Sequence, residues 1–141
     1  MQQECANLSG IRTEYEIGMK ISLSEKSVEG FPLIIASGPI SEESLIALGI
    51  FIRESCESKK VSGAIIDCQA IEGALSPEAL HKATPAYTQE VGRSLKVAYI
   101  NRPAHWKPAD DQFSRDLAYN RGGLLELFDT ATDAVQWLRG S

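Results

Sequence analysis

Two short polar stretches hold most of the side chains that could do chemistry. The first runs from Asp67 through Glu72 to Ser76, and the second from Asn101 through Arg102, His105 and Trp106 to Lys107. A guanidinium, an imidazole, an indole and an ammonium so close together can hold an anionic or planar ligand. A pocket lined by Trp106, Tyr87 and Arg102 would favour a small ligand, whereas a flat or convex surface would favour a protein. The competing reading is a solvated loop with Trp106 tucked onto the core, because loops often carry scattered polar groups without function.

Catalytic arrangements find little support. The two imidazoles, His81 and His105, form no pair one helical turn apart, as a zinc site would require. There is no Gly-x-Ser-x-Gly elbow, no phosphate-cradling Gly-rich loop with Lys, and no Gly-x-Gly-x-x-Gly fingerprint. A trio of Ser76, His105 and Asp67 would make a hydrolase only if the three were hydrogen-bonded to one another, so that activity is a remote alternative. Asp110 and Asp111 are adjacent, point apart on a helix, and read as partners of its dipole. Cys5, Cys56 and Cys68 show no close-pair spacing, which signals neither a disulfide framework nor zinc. No metal and no cofactor are expected.

These two stretches lie between elements that the hydrophobic pattern defines. Met19 to Ser24 alternates strictly, as in a strand with one face on a core. Phe31 to Ala36 is almost continuously apolar, a strand covered on both faces, with Pro32 near its start. Ser41 caps a helix in which Leu45, Leu48, Ile52 and Cys56 recur at helical spacing and Lys59 and Lys60 close the end. Val61 to Asp67 is a buried strand, followed by a loop from Gln69 to Leu75. Ser76-Pro77-Glu78 then starts a second helix. Within it, Pro85 implies either a kink or a fresh helix start capped by Thr84. Leu95 to Ile100 and Leu124 to Phe128 read as further strands, with a helix between them from Pro108 to Arg121 and a last one capped by Thr130.

The order is β-β-α-β-α-β-α-β-α. It predicts an α/β fold: a mixed, mostly parallel five-stranded sheet, its first strand antiparallel at an edge, covered by about four helices. Residues 1–16 carry few apolar groups and read as a flexible extension, leaving residues 17–141 as a single domain.

The chain has 141 residues, enough to bury a core without metal or disulfide support. A hydrophobic share of 43% and a charged share of 23% are those of a globular protein and argue against disorder. The net charge of −5 makes nucleic acid and anionic membranes poor partners. No apolar run approaches a bilayer span, the first residues lack signal-peptide order, and the thiols suit a reducing compartment, so the cytoplasm is the expected location.

The element order, with the segments IIDCQAIEGALSPEAL, KVAYINRP and LLELFDTATDAVQWL, resembles the STAS domains, the class of sulphate transporters and anti-sigma factor antagonists. The likeness is greatest to small free-standing bacterial members and spans about Met19 to Gly140. The closing pattern of an aromatic and an acid followed by Ala and Trp-Leu falls here on Phe128, Asp129, Ala134, Trp137 and Leu138, residues whose spacing also reads simply as core packing.

Regulatory members carry Asp-Ser, then Ser or Thr, then Gly after the third strand, and a partner kinase phosphorylates the second hydroxyl residue. The matching stretch here is Leu75-Ser76-Pro77-Glu78. Only Ser76 agrees; Leu75 replaces the acid, Pro77 takes the acceptor position and Glu78 replaces glycine. The resemblance therefore implies a non-catalytic regulatory or protein-interaction domain with a degenerate phosphoswitch, and Ser76 reads first as a helix cap. Its partner would be another protein, a regulator or kinase, or a second copy in a homodimer. The alternative is a domain that binds a small anionic or apolar molecule through the same two loops.

Overall fold

In the computed structural model, the described residues are 12–17, 21–92, 94–105 and 124–140. In chain order they form β1 (Arg12–Ile17), β2 (Ile21–Val28), β3 (Phe31–Pro39), α1 (Glu42–Lys59), β4 (Gly63–Glu72), α2 (Pro77–Val91), β5 (Lys96–Ile100), β6 (Leu124–Phe128) and α3 (Ala131–Leu138). The expected helix from Pro108 to Arg121 falls outside the described residues.

The strands make one six-stranded sheet in sequence order, β1 to β6. β1, β2 and β3 pair antiparallel, while β3 through β6 pair parallel. The five expected strands are all present in the expected order. A sixth, β1, starts within the stretch read as an extension and takes the edge, so the strand expected there lies one place inward. Its sequence, Arg-Thr-Glu-Tyr-Glu-Ile, alternates Thr13, Tyr15 and Ile17 with charged residues, a short period-2 signal that the low apolar content of residues 1–16 as a whole conceals.

β2 shows the alternation in full: Ile21 and Leu23 are buried and Ser22 and Ser24 are not. It also runs on past Ser24, where the strict alternation ends, to Val28. The chain reverses at Glu29 and Gly30, with φ of 53° and 90°, and Val28 pairs with Phe31. Two left-handed residues between paired ends make the tight hairpin turn that matches strand twist, and glycine takes the second place without steric cost.

α1 begins at a reciprocal cap. The Ser44 amide donates to Ser41 Oγ at 3.1 Å, and the Ser41 amide donates to Ser44 Oγ at 2.7 Å. Its buried stripe of Leu48, Phe51, Ile52 and Cys56 meets Ile21, Leu23, Ile34, Ala36, Ile66 and Val97 of the sheet, with Tyr87 and Val91 of α2 joining the same cluster. α3 covers the opposite face, where Ala134 and Val135 pack with Ile65, Ala98 and Ile100. The resulting order is helix pair, sheet, helix.

α2 passes through Pro85 without ending, so no second helix starts there. The Thr84 hydroxyl donates back to the Leu80 carbonyl at 2.6 Å and is thereby unavailable as a cap. No helix among the described residues is long and apolar enough to cross a membrane.

Candidate functional site

β4 does not stop at Asp67 but continues to Glu72, and the segment read as a loop from Gln69 is mostly strand. The difference originates in a bulge. Ile35 pairs with Asp67 and Ser37 with Ala70, so Cys68 and Gln69 together oppose the single residue Ala36. Such an extra residue breaks the alternation that marks a strand in sequence. Asp67 stabilises the bulge, since its Oδ1 accepts the Gln69 amide at 3.0 Å. Beyond it the Ile40 amide donates to the Glu72 carbonyl at 3.1 Å, holding the end of β4 beside the entry to α1.

The chain after β5 returns to this region. Asn101 adopts a left-handed backbone with φ of 55°, a conformation that asparagine tolerates better than most residues. From there its Nδ2 donates to Asp67 Oδ2 at 3.2 Å. Four residues later His105 Nε2 lies 2.8 Å from the Gly73 carbonyl. A carbonyl oxygen only accepts, so Nε2 carries the hydrogen in this contact. Pro103, between them, is buried. The two polar stretches thus meet at the carboxyl ends of neighbouring parallel strands, where open α/β sheets place their sites.

Ser76 stands at the start of α2, exposed, with its Oγ accepting the Ala79 amide at 3.1 Å. Pro77 takes the first helical position and is exposed, as is Glu78. Asp67 and Arg102 are half-buried; Glu72, Asn101 and His105 are exposed, and Trp106 and Lys107 lie outside the described residues. These side chains therefore share one end of the sheet, joined by backbone-directed bonds more than by bonds among themselves.

The chemistry open to the cluster follows from those bonds. Ser76 is engaged with Ala79, Asp67 with Gln69 and Asn101, and His105 with Gly73. None of these links two members of the Ser-His-Asp trio, which leaves the hydrolase arrangement without its nucleophile–base contact. Among the described residues, no group of three or more His, Cys, Asp or Glu side chains could hold a metal ion.

Tyr87 is buried, and its hydroxyl meets that of Tyr99 at 2.6 Å. Burial drives both phenols above their ordinary range; for Tyr99 the neighbouring Tyr87 adds to the rise. Two participants escaped sequence reasoning: the Gly73 carbonyl, which carries no side-chain signal, and Tyr99, whose place in an apolar strand gave no hint of a polar partner.

No family model matches the sequence, and no curated protein matches it. Among solved structures, the chain is similar to an anti-sigma factor antagonist from Mycobacterium paratuberculosis, with 18% sequence identity and a TM-score of 0.50. The likeness covers 89% of this chain and 99% of that one. At that identity the two share a fold, the one expected from the element order and from the segments around Ser76 and Trp137.

Proposed function

We propose that the chain is a non-catalytic regulatory domain of the cytosol that acts by binding another protein, as the name of its structural neighbour implies for that protein. The observation that carries this reading is the union of the two loops through Asp67 and His105, beside the exposed start of α2. The surface so formed spends its hydroxyl, carboxylate and imidazole on fixing backbone. That suits recognition by shape and charge better than turnover.

On this reading the phosphoswitch is degenerate. Pro77 stands where an acceptor hydroxyl would be needed, and Ser76 is already used as the cap of α2. Binding is then governed by the amount of partner and not by phosphate on this chain. The small-molecule reading gains no support from Tyr87, whose hydroxyl is taken up by Tyr99.

The test is affinity capture from native cells with the wild-type chain and with Glu78→Lys, a fully surface change at the start of α2. The expected result is one protein retained by the wild type and lost by the variant, whose melting temperature falls only by the few degrees that a reversed first-turn charge costs, with no phosphate on Ser76 by mass spectrometry. Identical captures by the two proteins, or phosphate on Ser76 that changes with growth conditions, would overturn the reading.

A further inference from the structure

Residues Asn101 to His105 are tied to the first loop at both ends. Asn101 reaches Asp67 and His105 reaches Gly73, while Pro103 between them is buried and Ala104 is exposed. Bonds at the two ends of a five-residue turn hold it beside the end of β4. The inward contacts are of two kinds. Pro103 supplies an apolar anchor with a fixed φ, and the two flanking bonds join residues 34 and 32 positions apart in the chain.

We propose that Asp67 and His105 are positioning residues. They hold the Asn101–His105 segment as a strap across the Gln69–Gly73 segment, so that the surface is formed before a partner arrives. Asp67 is suited to this because its two oxygens serve two directions, Oδ1 toward the bulge in its own strand and Oδ2 toward the strap. The bulge and the strap are therefore set by the same carboxylate, and shifting one shifts the other. His105 fixes the far end, past the buried proline. Pre-ordering of this kind removes part of the entropy cost of association, so its loss weakens binding without removing any contact to the partner. The role in binding rests on the regulatory reading above, whereas the strap itself does not.

Hydrogen exchange on the full chain separates the two. The Arg102, Ala104 and His105 amides report the order of the segment, and their exchange in the wild type is the reference. In the double variant Asn101→Ala/His105→Ala they should exchange about tenfold or more faster, while β4 and β5 keep their protection. His105→Gln retains an N–H donor in the side chain and is expected to restore protection at that end. Asn101→Gly, which removes the amide but accepts the left-handed backbone, separates the Asp67 bond from backbone strain and should exchange as fast as Asn101→Ala. Unchanged exchange in the double variant would overturn the proposal, as would equal loss of protection in β4 and β5. Capture of the partner by the same variants then reads the functional link. Faster exchange with weaker capture supports it, and faster exchange with unaltered capture refutes the positioning role in binding. If the wild type captures no protein at all, the regulatory reading fails while the exchange result still decides the strap.

Discussion

Glu25 puts a carboxylate where the alternation of β2 calls for an apolar side chain. It is 7% exposed, it follows Ile21 and Leu23 on the inner face, and it lies against the last turns of α1. A charge there persists only if it is met by donors. The fully buried Ser55 hydroxyl donates to its Oε1 at 2.7 Å, and Lys59 Nζ stands 3.6 Å from its Oε2. The pair fixes the register of β2 against α1, because a slip of one residue would carry Glu25 to the other face and leave Ser55 without it. We expect Ser55→Ala to lower stability by about 1–3 kcal/mol, the cost of leaving a buried acceptor one donor short. Urea denaturation measures this, and a change close to zero would mean that water replaces the hydroxyl. The same packing silences Cys56, whose thiol is pushed up to about 12, first by burial and then by the Glu25 charge. A thiol reagent near neutral pH should leave Cys56 and Cys68 unmodified in the folded protein and label them both in urea, since reaction needs the exposed thiolate. Labelling at equal rates in both conditions would contradict their burial.

α1 and α2 come into close contact at Gly49. A methyl group added there would lie 3.1 Å from the Tyr87 carbonyl oxygen and 3.2 Å from its Cδ1, so the absence of a side chain sets the helix separation. Arg53 of α1 reinforces the contact, donating to the carboxylate of Glu90 and, at 3.1 Å, to its carbonyl. We expect Gly49→Val to destabilise by about 1–3 kcal/mol through overpacking against a backbone atom that cannot turn away. A thermal melt of the variant tests this, and a stabilised protein would show that the helices can part without loss. How much of the structure the sequence disclosed follows from what each signal measures. The caps Ser41, Ser76 and Thr130 were legible because capping is local chemistry. The buried strands were legible because apolar runs report burial. The bulge after Asp67 was not, since it depends on backbone bonds to another strand, and the alternation of β1 was too short to stand out from the polar residues before it. For the site, the two loops were read from their residue types and their meeting from topology. Their mode of contact, a carboxylate shared between bulge and strap, left no trace in residue types. The hydroxyl partner of Tyr87 was hidden for a related reason: a phenol at helical spacing can face either a pocket or a second phenol.

One titratable weakness lies between the sheet and the α1–α2 pair. Cys56, Tyr87 and Tyr99 all belong to the face of the sheet covered by α1 and α2. Burial is the first cause of the raised pKa in each of them. A group whose folded pKa is raised keeps its proton longer in the folded state than in the unfolded one. Stability is then whole below the unfolded pKa and declines as pH rises from there toward the folded value. For Cys56 the window opens near 9.0, its value without burial, and closes at about 12; for the two phenols it opens at 10.0. Each group contributes a slope of up to about 1.4 kcal/mol per pH unit inside its window. The opposite face, where Lys96 lies over the Trp137 ring and donates to its carbonyl at 3.2 Å, holds no buried acid of this kind among the described residues. The sheet should therefore fail first on the α1–α2 side in alkali. We expect urea midpoints to be level up to about pH 9 and to fall steadily beyond it. Cys56→Ala should delay the onset to the region where phenols begin to ionise. A midpoint that declines at the same pH in that variant as in the wild type would place the weakness elsewhere. Loss of the near-ultraviolet signal of Trp137 before that of the tyrosines would likewise assign the failure to the α3 face.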